Sequence, residues 1–271
     1  MILQLKVKNY RSYKEETVFS MEANSSSHEI ENVFEITNDK QKSRLLKTAI
    51  IYGANASGKS NVIRAFFELR KFILHKPKVG DPIDLYEPFK FDLISKEQPC
   101  EFELTFIDAN KIKYIYKIAI LIDKVLEEEL YYYPNGKKTT VFKRAKYKEN
   151  NRVQKGVLGD SFGKKEINVF ANQLILSKFG DDEPHELLTD VFLYFRTIEI
   201  INATNENHKE FYLKKVSEDL YEDEQLKQKL VKLIQAADTK IFDINITKSK
   251  NDNSSSLNDD AKKLIEKNPY T

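Results

Sequence analysis

Eight consecutive residues, Gly53-Ala54-Asn55-Ala56-Ser57-Gly58-Lys59-Ser60, have the types and spacing that hold a polyphosphate, and Asn61 continues the run. They fit G-x-x-x-x-G-K-[ST]. The two glycines let the backbone turn tightly and approach an anion with no Cβ in the way, so successive N–H groups can point inward. Lys59 supplies a mobile ammonium for the β- and γ-phosphates, and the Ser60 hydroxyl offers a coordination position to Mg²⁺. The expected ligand is a nucleotide with its magnesium ion.

Such a loop works only where a strand delivers it and a helix leaves it. Leu45 to Tyr52 (LLKTAIIY) ends in a continuous apolar run, which predicts a buried parallel strand. Lys59 to Lys76 carries Val62, Ile63, Ala65, Phe66, Phe67, Leu69, Phe72, Ile73 and Leu74 without Pro or Gly. That predicts a helix whose positive N-terminal end faces the phosphates. Upstream, Ile2 to Lys8 alternates apolar and polar residues, and Thr17 to Met21 resumes an extended pattern after the polar Arg11-Ser12-Tyr13-Lys14 corner. Two strands joined by a turn are expected there. Asn24 to Asp39 is polar and Ser-rich and reads as a surface loop.

Downstream, Pro77, Gly80, Pro82 and Pro88 mark a loop before four extended candidates: Glu101 to Ile107, Ile112 to Leu121, Val125 to Tyr133 and Thr139 to Arg144. Asp108-Ala109-Asn110-Lys111 and Pro134-Asn135-Gly136-Lys137 are turn sequences between them, so an antiparallel layer is expected beside the parallel one. Lys146 to Lys165 reads as a mobile loop, and Asn168 to Leu176 as a strand or strand–helix junction. Pro184 to Phe195 and Glu224 to Ala237 read as helices, Thr197 to Ile201 and Ile241 to Ile246 as extended segments. Lys248 to Asp260 has the composition of a disordered connector.

The 271 residues are 41% hydrophobic and 32% charged with a formal net charge of +2, which suits a globular chain with no global field committing it to nucleic acid. Cys100 is the only cysteine, which excludes an intramolecular disulfide and fits a reducing cytosol. The start MILQLKVKNY is charged too early for a signal peptide, and no run approaches the ~18 apolar residues of a membrane span. A cytoplasmic protein without a membrane partner is expected. His28, His75, His185 and His208 are scattered and lack metal-ligand spacing.

An N-terminal strand ending in Asn9-Tyr10-Arg11-Ser12, a second strand, a polar loop and then Ile51-Tyr52-Gly53 through Asn61 resembles the SMC/RecF-like branch of ABC-type ATPases. The chain is similar, more closely, to bacterial AAA family ATPases related to abortive-infection, restriction-linked and OLD-type defence proteins. Glu87-Pro88-Phe89-Lys90-Phe91, the Leu130-Tyr131 strand and Asn172-Gln173-Leu174-Ile175-Leu176-Ser177 match that group in order. The resemblance is specific over residues 1 to 75 and diffuse to about residue 200. It implies an α/β P-loop NTPase of the ABC-head type, with an attached antiparallel β layer and a helical subdomain. The expected division is an ATP-binding lobe with its antiparallel β subdomain over 1–178, a helical subdomain or the start of a second lobe over 179–247, and a polar connector or tail over 248–271. It also implies ATP and Mg²⁺ as cofactors, with Ser60 as the metal-binding hydroxyl. Arg11 and Ser12 would lie near the nucleotide, and Gln173 would be a candidate for the glutamine that senses Mg²⁺ and the attacking water.

The chain departs from that pattern in its acids. Hydrolysis needs acidic residues that hold Mg²⁺ and position water. No run of four apolar residues followed by Asp-Glu occurs. Asp108 follows such a run but is read as a hairpin corner, and Leu176-Ser177-Lys178-Phe179-Gly180 has Lys and Phe where a signature loop needs small residues. No catalytic residue is identified, and hydrolysis is expected to need a C-terminal half. A GTPase reading fails for want of Asn-Lys-x-Asp, although Asp160-Ser161-Phe162-Gly163 matches Asp-x-x-Gly. A small kinase would place its loop nearer the N-terminus.

Two further function classes remain. Lys137 to Gly156 is rich in basic residues, with Lys143, Arg144, Lys146, Lys148 and Arg152 beside Tyr131, Phe142 and Tyr147, so it could bind DNA or RNA through charge and stacking. The blander reading is a solvated basic hairpin. Alternatively, ATP binding could gate assembly with a second protomer, as in the ATP-sandwich dimers of ABC heads, or with a separate nuclease or toxin subunit.

Overall fold

The structure is a computed structural model that describes residues 1–26, 30–38, 41–144, 153–162, 167–202, 205–237 and 241–246. The chain forms two compact units, Met1–Glu199 and Ile200–Thr271.

In the first unit, period-two alternation builds one antiparallel sheet. Its strands are β1 (Ile2–Lys8), β2 (Thr17–Ser20), β5 (Cys100–Ile107), β6 (Lys113–Ile120), β7 (Val125–Tyr132), β8 (Thr139–Arg144) and β9 (Val153–Gln154). They lie in the order β2-β1-β5-β6-β7-β8-β9. One face presents Leu5, Val7, Phe102, Leu104, Phe106, Tyr116, Ile118, Leu130 and Phe142 to the core. The other carries charged ladders: Lys8 to Glu101, Lys6 and Lys117 to Glu103, and Lys143 to Glu129. This alternation is what keeps one face dry and the other wet.

Helix α1 (Lys59–Leu74) buries Ala65, Leu69, Phe72 and Ile73, a stripe at helical spacing that packs into the same core. Phe66 on α1 meets Phe19 of β2 edge-to-face at 5.9 Å. Two short helices, α2 (Leu158–Phe162) and α3 (Ile175–Ser177), lead to α4 (Glu186–Thr197), which buries Leu188, Val191, Phe192 and Phe195. Arg70 of α1 donates from Nε to the Phe195 carbonyl at 2.9 Å and from Nη2 to that of Arg196 at 3.2 Å, tying α1 to the end of α4.

Several expectations are overturned: the 146–165 stretch read as a mobile loop contains β9 and α2, with Leu158 buried. The polar 24–39 stretch read as a surface loop contains β3 (Val33–Asn38), which pairs antiparallel with β4 (Gln41–Leu46). Ile36 and Leu45 of this hairpin pack with Leu3 and Ile107 in a small second core. Consequently the predicted parallel strand over Leu45–Tyr52 is not one strand. Leu46 ends β4, and the apolar residues beyond it have no sheet partner among the described residues: Ile50 is 83% and Tyr52 90% exposed. All pairings among described strands are antiparallel. An apolar run reports a preference for burial, not the presence of the strands that would bury it.

The described part of the second unit is α5 (Glu206–Glu222) followed by α6 (Glu224–Ala236). Each starts on a side-chain cap: Asn205 Oδ1 accepts from His208 N–H at 3.2 Å, and Asp223 Oδ1 from Leu226 N–H at 2.9 Å. Residues 197–201 and 241–246, read as extended, form no strand. No helix among the described residues is long and apolar enough to cross a membrane.

Candidate nucleotide-binding site

Residues 47–57 are exposed throughout, and the chain then reverses at Gly58 to enter α1. Gly58 has φ of +95°, and a Cβ there would stand 2.6 Å from Ser12 Oγ. Both facts demand glycine. No side chain caps the start of α1, and although the Asn61 N–H donates to the Gly58 carbonyl at 2.8 Å, the helix start carries no side-chain acceptor that would compete with an anion. Lys59 Nζ folds back and donates to the carbonyls of Gly53, at 2.8 Å, and Ala54, at 2.6 Å. The ammonium thereby sits at the mouth of the loop.

The polar corner after β1 braces this turn. Tyr13 Oη donates to the Gly58 carbonyl at 2.6 Å, and burial pushes the Tyr13 phenol up, so it stays a protonated donor. Asn61 Nδ2 donates to Ser12 Oγ at 2.7 Å. Arg11, itself at φ +53°, reaches Asn61 Oδ1 at 3.4 Å with Nη1 and forms an ion pair with Glu87 through Nε. The structure therefore brings Arg11, Ser12, Gly58, Lys59 and Asn61 into one neighbourhood, with exposed Ser60 between the last two.

This arrangement suits a polyphosphate. A turn that excludes a Cβ, an uncapped helix start and a lysine already held over the loop are what an anion of several charges requires. Gly53, Ala54, Asn55, Ala56, Ser57, Gly58 and Lys59 would hold the phosphates, and Ser60 would hold Mg²⁺. A nucleotide held there would bring the phosphates, and a metal ion on Ser60 would offset part of their charge.

Residues 49–268 match the family described as "AAA domain, putative AbiEii toxin, Type IV TA system". The chain belongs to this AAA family. An AAA domain is a P-loop nucleotide-binding fold, and the mixed α/β architecture, its described strands paired antiparallel, fits one. No curated protein matches the chain.

Other sequence-derived candidates of this AAA domain lie elsewhere. Gln173 does not approach the phosphate loop. Its Oε1 accepts from its own Phe170 N–H at 3.3 Å. The surrounding segment binds the far end of α1: Ser177 Oγ donates to the Ile73 carbonyl at 2.7 Å, and Asn172 Nδ2 to those of Lys78 and Asp81. Sixteen helical residues, roughly 24 Å, separate that end from the loop.

Arg144 is likewise corrected. It is 2% exposed and donates to the backbone carbonyls of Gln173, Phe170 and Ala171, at 2.7, 3.2 and 3.3 Å. Across the sheet it is in register with fully buried Glu128, which accepts from Tyr116 Oη and from Ile175 and Leu176 N–H. Burial pushes Glu128 up and Arg144 down, while each charge opposes the other's shift. Arg144 is thus a core cation and presents nothing to a nucleic acid. Neighbouring Lys143 is on the wet face, ion-paired with Glu129 at 3.6 Å and lying over the Tyr131 ring at 5.2 Å. Successive strand residues point to opposite faces, a signal in the sequence that separates these two. Lys146, Lys148 and Arg152 lie outside the described residues.

Asp108 is the hairpin corner that its neighbours predict, with Oδ1 accepting from Ile112 N–H at 2.8 Å. Sequence reasoning assigned no role at the site to Tyr13 or Glu87. Tyr13 lies inside the Arg11-Ser12-Tyr13-Lys14 corner already singled out, whereas no local pattern links Glu87 to Arg11, since only folding of the 77–98 loop joins them.

Proposed function

We propose that the chain is the ATP·Mg²⁺-binding lobe of an ABC/SMC-like ATPase that acts as a nucleotide-gated sensor or regulator in bacterial defence or DNA metabolism. The observation that carries this reading is the Gly58 turn, braced by Ser12 and Tyr13, with Lys59 drawn onto the loop carbonyls beside an uncapped helix. The toxin and type IV system named in the family description support a defence setting. Exposed Ile50, Ile51 and Tyr52, which have no sheet partner among the described residues, support the view that the segment feeding the loop is covered by another segment, which would also bring the acids for hydrolysis.

Lys59→Ala tests the site. Loss of the ammonium should weaken ATP binding ~10- to 100-fold, the scale of losing a charge-assisted phosphate contact, and because it touches only exposed loop carbonyls the melting temperature should be unchanged. Undiminished affinity in titration calorimetry would sink the assignment.

A second reading, a gated contact with a nuclease or toxin subunit or a second protomer, is favoured by one observation. Phe91, Leu93 and Ile94 are 92%, 80% and 73% exposed in the loop that begins at Glu87. The nucleic-acid reading has no such support once Arg144 is placed in the core.

A further inference from the structure

Glu87 stands between two arginines at the edge of the phosphate loop. Arg11 Nε lies against its Oε2, and Arg64 Nη2 is 3.9 Å from its Oε1. Arg11 also leans on Asn61, the residue after Ser60, and Arg64 sits one helical turn beyond Ser60 on α1. The backbone holds the arrangement, because Arg11 N–H donates to the Glu87 carbonyl at 2.7 Å. The Arg11 side chain is held less well. Its Nε makes no aligned hydrogen bond, so the pair rests on charge alone, and its contact to Asn61 is long at 3.4 Å. Arg64 is half exposed and shared with Glu68 at 4.0 Å. Thus one carboxylate faces two guanidinium groups, and the better-placed one is not locked.

Guanidinium groups bind phosphate through two parallel N–H···O bonds, more strongly than through an unaligned ion pair. We propose that Glu87 is a placeholder for phosphate: it keeps the Arg11 guanidinium beside the phosphate loop, and the polyphosphate of a nucleoside di- or triphosphate takes that guanidinium over. Glu87 is then a positioning residue that competes with the ligand, and Arg64 receives its carboxylate when Arg11 leaves. The inference rests on the nucleotide-binding reading of the loop.

The test is calorimetric titration of ATP·Mg²⁺ into the wild type, Glu87→Gln, Arg11→Ala and the double variant. Removing the competitor should tighten binding in Glu87→Gln by about two- to fivefold, the scale of a partly exposed ion pair. Arg11→Ala should weaken it, and Glu87→Gln should add nothing in that background. A merely structural Glu87 would weaken binding or leave it unchanged when replaced, and either result overturns the proposal. So does equal tightening with and without Arg11. Should Glu87→Gln not fold, the wild type decides by NMR: the Arg11 Nε–H signal must shift on adding ATP·Mg²⁺ and not on adding adenosine, and an unmoved signal overturns the exchange. The Lys59→Ala control separates the two claims. If ATP binds as well without Lys59, the site reading fails and the placeholder with it; if Lys59 is required and Glu87→Gln shows no tightening, only the placeholder falls.

Discussion

The two ends of α1 are built to opposite specifications. Its C-terminal half is buried and tied down: Leu69, Phe72 and Ile73 are in the core, Ser177 holds the Ile73 carbonyl, and Arg70 binds the end of α4. Its N-terminal end follows eleven exposed residues, 47–57, has no side-chain cap, and is steadied by the Arg11–Tyr13 corner and by Lys59 on the loop carbonyls. Stability is concentrated where the helix meets the sheet, and open hydrogen-bonding capacity is left where a phosphate would sit. A binding loop drawn from the weakly packed end of a rigid helix can change partners without unfolding its support.

The largest expected break of this contrast is at the buried end. Arg144→Met leaves Glu128 buried without its compensating cation and frees three carbonyls of the 170–173 turn. A loss of ~3–5 kcal/mol is expected in denaturant unfolding. The folded fraction should still bind ATP with wild-type affinity, because the cluster contacts the far end of α1; a selective loss of affinity would show that the two ends are coupled.

At the open end, Gly58→Ala should do the reverse. Forcing a Cβ into a turn at φ +95° and against Ser12 Oγ should cost about 1–2 kcal/mol and weaken ATP more than it lowers stability. Ser12→Ala in the same chain removes the clashing oxygen and should restore part of the affinity. No restoration would mean that the backbone conformation alone, and not the brace, controls the loop.

The smallest effect is expected on the wet face of the sheet. Burial tends to push Glu103 up, but hydrogen bonds from Lys117 and Lys6 outweigh it and hold the carboxyl below its ordinary range. A carboxylate depressed by folding stabilises above its unfolded pKa, and that stabilisation is lost as pH falls through the folded value. Glu103→Gln should therefore cost ~0.2–1 kcal/mol at neutral pH, and less in high salt. The difference from wild type should vanish in acid, measured by thermal unfolding across pH. A larger or salt-independent cost would mean that this face carries more of the fold than its exposure suggests.

The sequence alone determined the elements whose signals are local. Gly53 to Ser60 announces a phosphate loop because backbone freedom, a helix start and a lysine must adjoin one another in the chain. β1 and β5 to β8 were legible from alternation and from turns such as Asn135-Gly136, and α1 from its apolar spacing. Only the tertiary structure decided what those elements face. It set Arg144 inward and Lys143 outward, placed Gln173 at the far end of α1, and left Ile50 and Tyr52 without a sheet. It also joined Glu87 to Arg11 and Tyr13 to Gly58. Residue type and spacing record a preference for burial, charge or turning, but the partner that satisfies each preference arrives from a distant part of the chain, and chain closure alone chooses it.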